Sequence, residues 1–242
     1  MYAIETCALT KKYKDLTAVN SIDLKVEAGE IFSLLGVNGA GKTTVIKMLS
    51  CLTAPTGGKA FICGKNVQKE CSEVKSLIAV SPQETAVAPN LTVKENLKLM
   101  AGIHCFSKEK TNRKIAELSD RFGLDAVINK KAGKLSGGWQ RRLSIAMALI
   151  SEPAVLFLDE PTLGLDVLAR SELWDVIRSL KGKITIILTT HYMEEAETLS
   201  DRIAVMKDGR LLLCGTADEI KIKAGADKLE DAFVRLVKEE KL

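Results

Sequence analysis

Short apolar runs alternate with longer stretches in which apolar residues recur every three or four positions. Runs at 22–26, 31–35, 59–63, 77–80, 155–158, 184–188 and 203–206 have the length and composition of strands. Those ending at Leu35, Leu158 and Leu188 are apolar nearly throughout, as central strands covered on both faces must be. A helical pattern follows each of them. This order predicts an α/β fold with a mostly parallel sheet. The stretch from Tyr2 to Val26 reads as a small antiparallel sheet at one side.

Residues 91–149 break the alternation and read as helices. Thr92 and Glu95 spell a capping box, with further helices expected at 108–122 and 137–150. Thr216 and Glu219 spell a second box. Leu229, Ala232, Phe233, Leu236 and Val237 recur at helical spacing. The expected organisation is one domain over 1–242. Its α/β core and antiparallel β subdomain occupy 1–90 and 150–225, a helical insert takes 91–149, and a C-terminal docking helix takes 226–242.

Composition adds bounds. With 46% hydrophobic and 27% charged residues, the chain can bury a proper core. A net charge of +4 permits an anionic ligand or membrane surface and gives no reason to expect nucleic acid. Six cysteines form no C-x-x-C pair and have two histidines for company, so reduced packing thiols are expected. The first residues lack the pattern of a signal peptide. The apolar runs are too short to span a bilayer, which would put any membrane part on another chain.

The first chemical motif is Gly36-Val-Asn38-Gly39-Ala40-Gly41-Lys42-Thr43, followed by Thr44. It lies between a predicted strand and a predicted helix, as a G-x-x-x-x-G-K-[ST] phosphate loop requires. Glycines let successive N–H groups face one centre, and the helix start adds a positive dipole end. Lys42 supplies a full charge to the terminal phosphates, and the Thr43 hydroxyl can ligate Mg2+. Alone, the motif says only nucleoside triphosphate.

A second apolar run ends in Asp159 and Glu160. A buried strand would carry Asp159 to the sheet edge beside the phosphate loop, to hold magnesium. Glu160 would point elsewhere, free to polarise a water. A GTPase would show D-x-x-G here, but position 162 is Thr, and after Asn129-Lys130 position 132 is Ala rather than Asp. That class is excluded.

Leu135-Ser136-Gly137-Gly138 opens another predicted helix and makes a second anion site. One nucleotide needs one cradle, so a second suits the nucleotide of a partner subunit. With this element the sequence resembles the ATP-binding cassette family over essentially its whole length. The resemblance implies a P-loop NTPase core and ATP hydrolysis with Mg2+. It also implies a head-to-tail dimer, of like or unlike subunits, with two ATP molecules clamped between phosphate loops and opposing signatures. Tyr13 resembles the aromatic that stacks on adenine, although a surface tyrosine is an equal reading. Gln83 resembles the glutamine that meets magnesium and senses the membrane partner. Asp166 resembles the aspartate that couples the two sites, and it could equally cap a helix. His191 resembles the histidine at the γ-phosphate. Trp139 departs from the usual Gln of the signature, and Gly164 from a usual Ala.

The stretches 91–97, 191–197, 201–206 and 229–236 resemble stand-alone ATPase subunits of exporters. The implied protein sits on the cytoplasmic face of the membrane and powers transport through a separate multi-helix permease. Cassette proteins of ribosomes or DNA repair would carry a second cassette or long coiled coils, and neither is present.

Overall fold

A computed structural model of the chain describes residues 1–239. Within the stretch 226–242, expected to dock as a helix, a helix spans Leu229–Glu239, and residues 240–242 lie outside the described residues. In chain order the elements are β1 (Tyr2–Tyr13), β2 (Leu16–Glu27), β3 (Ile31–Gly36), α1 (Lys42–Leu49), β4 (Gly57–Ile62), β5 (Lys65–Asn66), α2 (Cys71–Leu77) and β6 (Ile78–Ser81). Then come α3 (Val93–Ile103), α4 (Lys108–Arg121), α5 (Gly137–Leu149), β7 (Val155–Asp159), α6 (Val167–Arg178) and β8 (Thr185–Thr190). The chain finishes with α7 (Met193–Leu199), β9 (Arg202–Lys207), β10 (Arg210–Gly215), α8 (Ala217–Lys223) and α9 (Leu229–Glu239).

The apolar runs build a six-stranded sheet in the order β10-β9-β3-β8-β7-β6. All neighbours in it are parallel except β9 and β10. Because side chains alternate along a strand, each buried strand serves two cores. Val155 and Phe157 join the cluster with α1 and the antiparallel sheet, whereas Leu156 and Leu158 join the cluster with α3–α6. This double burial is why the 155–158 run has no polar break. On the α3–α6 side, Val93, Leu97, Leu118, Leu143 and Leu173 close the layer. A third cluster packs Leu229, Ala232 and Phe233 of α9 onto Leu35, Ile203 and Val205.

Several boundaries differ from those expected. The 22–26 run is part of the twelve-residue β2. The 59–63 run forms β4, which pairs with β1 in a separate antiparallel sheet of order β2-β1-β4-β5. Leu77 ends α2 rather than opening a strand, and β6 runs one residue further to Ser81. β10 was not expected; it returns through Asp208 and Gly209, at φ 47° and 76°, the positive-φ pair that suits a tight hairpin. All six cysteines are free thiols. No helix among the described residues is long and apolar enough to cross a membrane.

Candidate functional site

The register of the parallel sheet decides which side chains meet. Leu35 pairs with Thr190, Asp159 with Thr189, and Ser81 with Leu158. Four adjacent strands therefore end on one edge and deliver four connections there: residues 37–41 after β3, His191 after β8, Glu160 after β7 and Gln83 after β6. Ligands of open α/β sheets bind at this carboxyl edge. A cleft of about 590 Å³ lies there, lined by Tyr13, Asn38, Lys42, Thr43, Gln83 and His191 among others.

The loop after β3 ends on Gly41, the N-cap of α1, at φ 99°. An L side chain is strained there, and its Cβ would run into the carbonyl oxygen of Ala18. The glycine therefore lets the loop lie against β2. No side chain caps α1, so the N–H groups of its first turn remain available to an anion. Lys42 is buried at 6% exposure. Its Nζ donates to Gly36 O at 2.6 Å and Val37 O at 3.3 Å and pairs with Glu160 Oε1 at 3.3 Å.

The carboxylates are held from two strands. The Thr189 hydroxyl donates to Asp159 Oδ1 at 2.5 Å, and the Thr43 hydroxyl donates to the same oxygen at 3.2 Å. Glu160 sits at φ 48°, a left-handed conformation that is costly for a residue with a side chain. Its N–H is pinned by Thr189 through the hydroxyl at 3.0 Å and the carbonyl at 3.2 Å. His191 Nδ1 lies 2.8 Å from Glu160 Oε2. Glu160 thus does not stand free, as expected from sequence, but is engaged by both Lys42 and His191. The reason is tertiary: β3, β7 and β8 are neighbours, so three charged termini converge.

The other expected residues divide. Tyr13 is 44% exposed at the cleft mouth, with Lys11 Nζ 4.9 Å from its ring centre. Gly36, Asn38, Gly39, Ala40, Thr43 and Thr44 belong to the loop and the first turn of α1, and Gln83 is exposed at the cleft. Ser136, Gly137 and Gly138 do not line the cleft. They begin α5, and the Ser136 side chain makes no capping bond. By contrast α3, α4, α6 and α8 are all capped by their own side chains, from Thr92, Ser107, Asp166 and Thr216. Asp166 accepts from Ala169 N at 2.9 Å, so its capping role is present. A Cβ on Gly138 would stand 3.0 Å from Ala169 Cβ, which lets the starts of α5 and α6 abut. Trp139 is half-buried against the helical core, with the Arg142 guanidinium 5.0 Å from its ring centre.

Sequence reasoning missed the polar layer behind the edge. Thr189 organises both acids; its signal is the Thr189-Thr190 doublet closing an otherwise apolar run. Glu195 is fully buried, accepts from Trp174 Nε1 at 3.2 Å, and burial raises its carboxyl above the usual range. Arg141 is 4% exposed and donates to Pro82 O at 2.6 Å and Gln83 O at 2.5 Å.

The donor set suits a triphosphate with a hard divalent cation. The cleft offers uncapped N–H groups and a lysine for phosphate. Asp159, Thr43 and Gln83 offer oxygen ligands, the few that magnesium takes from protein when phosphates and water complete its shell.

Residues 19–163 match the family model described as ABC transporter. The chain is 42% identical over 229 residues to a daunorubicin resistance ATP-binding protein of Streptomyces coeruleorubidus, covering 94% of this chain and 72% of that one. A solved ATP-binding subunit of an ABC transporter superposes with a TM-score of 0.86 at 29% identity, over 97% of this chain and 99% of the other. A dimeric post-hydrolysis structure of the ATP-binding cassette MJ0796, bound to ADP and Pi, superposes with a TM-score of 0.78 at 27% identity, over 88% and 98%.

Proposed function

This chain belongs to the ABC transporter family, and from that premise we propose how its own residues run the ATPase cycle. It is an ATP-binding, ATP-hydrolysing subunit that powers transport through a separate membrane partner, and it works as a dimer. The proposal concerns the finer assignment. Adenine stacks on Tyr13. The 36–44 loop wraps the phosphates with its N–H groups, and Lys42 shifts from Glu160 to the terminal phosphates. That shift releases Glu160 Oε1 to polarise the attacking water, while His191 holds Oε2 and orients the carboxylate. Asp159, Thr43 and Gln83 would hold Mg2+, which when bound neutralises charge on the phosphates.

Ser136 and the glycines after it serve the ATP of the second subunit in a head-to-tail dimer, with Asp166 at the crossing. The helical insert of 91–149 is the part that moves on closure, against a core of 1–90 and 150–225. The stretch 226–242 docks on the core. The dimer sits on the cytoplasmic face of the membrane, and the drug-resistance name of the Streptomyces relative favours export.

One observation carries the dimer reading. Among the described residues α1, α2, α5 and α7 start without a side-chain cap, but only α1 and α5 start on glycines, and of those two only α1 lines the cleft of this chain. A second uncapped anion site outside the cleft needs a nucleotide from elsewhere. The test is the mass in solution of Glu160→Gln with Mg-ATP, by analytical ultracentrifugation. A dimer is expected with ATP and a monomer with ADP. A monomer in both overturns the reading.

A further inference from the structure

Arg141 presents a physical problem. It carries a charge in the interior, where an ionised group is expensive unless its donors are satisfied. Burial pulls its guanidinium below the usual range, and the charges of Asp159 and Glu195 act in the opposite direction. Its hydrogen bonds go to two successive backbone carbonyls, Pro82 O and Gln83 O. A bidentate guanidinium on neighbouring carbonyls fixes both the position and the orientation of a backbone segment.

A second link lies three residues along the same helix face. Ser144 Oγ and Ser81 Oγ are 3.0 Å apart and buried. The 82–91 segment is also held at its far end by the helical insert. Asn96 Oδ1 accepts from Ala88 N at 2.8 Å, Asn96 Nδ2 donates to Ala88 O at 3.1 Å, and Gly133 N donates to Pro89 O at 2.9 Å. The segment bearing Gln83 is thus joined to the sheet by its covalent bond to Ser81 and tied at both ends to helices. Ser136 starts the helix that carries Arg141, about five residues or roughly 7.5 Å along one rigid axis.

We propose that Arg141 is a positioning residue that fixes the Gln83 segment to α5, so that movement of the Ser136 helix start on a partner's nucleotide is passed to Gln83 in this chain's own cleft. The inference rests on the roles proposed above for Ser136 and Gln83. One guanidinium then links a helix start that serves one nucleotide with a side chain that serves the other.

The test uses the full chain with Arg141→Met, which keeps the bulk and removes the donors. Arg141→Lys keeps the charge and loses the fork; it reads out the same effect should the first variant fail to fold. Two measurements are made. Amide hydrogen exchange of residues 83–88 in the nucleotide-free protein is expected to quicken about tenfold in Arg141→Met, with exchange in β7 unchanged. Turnover with Mg-ATP is expected to fall about tenfold, with KM for ATP within about threefold of the parent, and Arg141→Lys should recover part of both. Unchanged exchange, or unchanged turnover, in a folded Arg141→Met overturns the proposal. Gln83→Ala is measured beside it. If it retains full turnover, the role of Gln83 fails, whereas the exchange result still judges the tether by itself.

Discussion

The starts of α1 and α5 are built from the same few residue types, glycine beside a hydroxyl, and neither is capped by a side chain. Their surroundings differ. Around α1, Lys42, Glu160, Asp159, His191 and Thr189 form one set, buried except for the partly exposed His191, joined by contacts of 2.5–3.3 Å. Around α5, Ser136 and Gly137 are exposed, and Asp166 at the abutting start of α6 caps its own helix. The first start is surrounded by acids, a lysine and a histidine. The second has donors and no chemistry of its own. The difference teaches that two similar helix starts can sit in unlike surroundings, one among charged groups and one with donors alone, which is the division of labour the proposed dimer would use.

That contrast can be broken from either side. The largest effect is expected from Glu160→Gln, which keeps the shape and removes the base. Turnover should fall about a hundredfold or more, read as phosphate release, with ATP still bound. Lys42→Ala should weaken ATP binding by roughly 1.5–3 kcal/mol, about ten- to a hundredfold, in a fluorescent-nucleotide titration. Ser136→Glu sharpens the comparison. It sets a negative charge against the partner's phosphates, so turnover should fall on the order of tenfold or more while ATP binding to single subunits is unchanged. Weakened binding to single subunits would mean that α5 serves its own cleft.

The smallest effect lies far from either start. The Glu152 carboxylate accepts from Lys110 and Lys114, both at 2.8 Å, which holds it down at about 2. Its folded pKa is below its unfolded one, so the stabilisation is complete above about 4.5 and vanishes as pH falls towards 2. Glu152 is 45% exposed, so solvent screens the pair and Glu152→Gln should cost under about 1 kcal/mol at pH 7. The gap to the parent in chemical denaturation should narrow below about pH 4.5 and close as pH approaches 2.

Much of this was legible in the chain. The doubly buried strands announce themselves because a strand covered on both faces has nowhere to put a polar side chain. The phosphate loop is legible because it needs glycines at set positions between a strand and a helix. Capping boxes at Thr92 and Thr216 are local, and both form as spelled. The strand at β4 was legible, but its place in the antiparallel sheet was not, since pairing with β1 joins residues 47 to 58 apart, from Thr10 with Gly57 to Ile4 with Ile62. Arg141 and Glu195 were not legible as buried groups, because a charged residue on a helix looks solvated until its neighbours are known.

By itself, the sequence determined the local chemistry: which runs could be buried, where anions could be held, and which acids stood at a strand end. These depend on residue type and spacing over a few positions. The tertiary structure alone decided that Glu160 is engaged by Lys42 and His191, that Thr189 pins both acids, and that Arg141 reaches the Gln83 segment. Those contacts arise from the order and register of parallel strands and from packing between layers, which bring together residues remote in the chain.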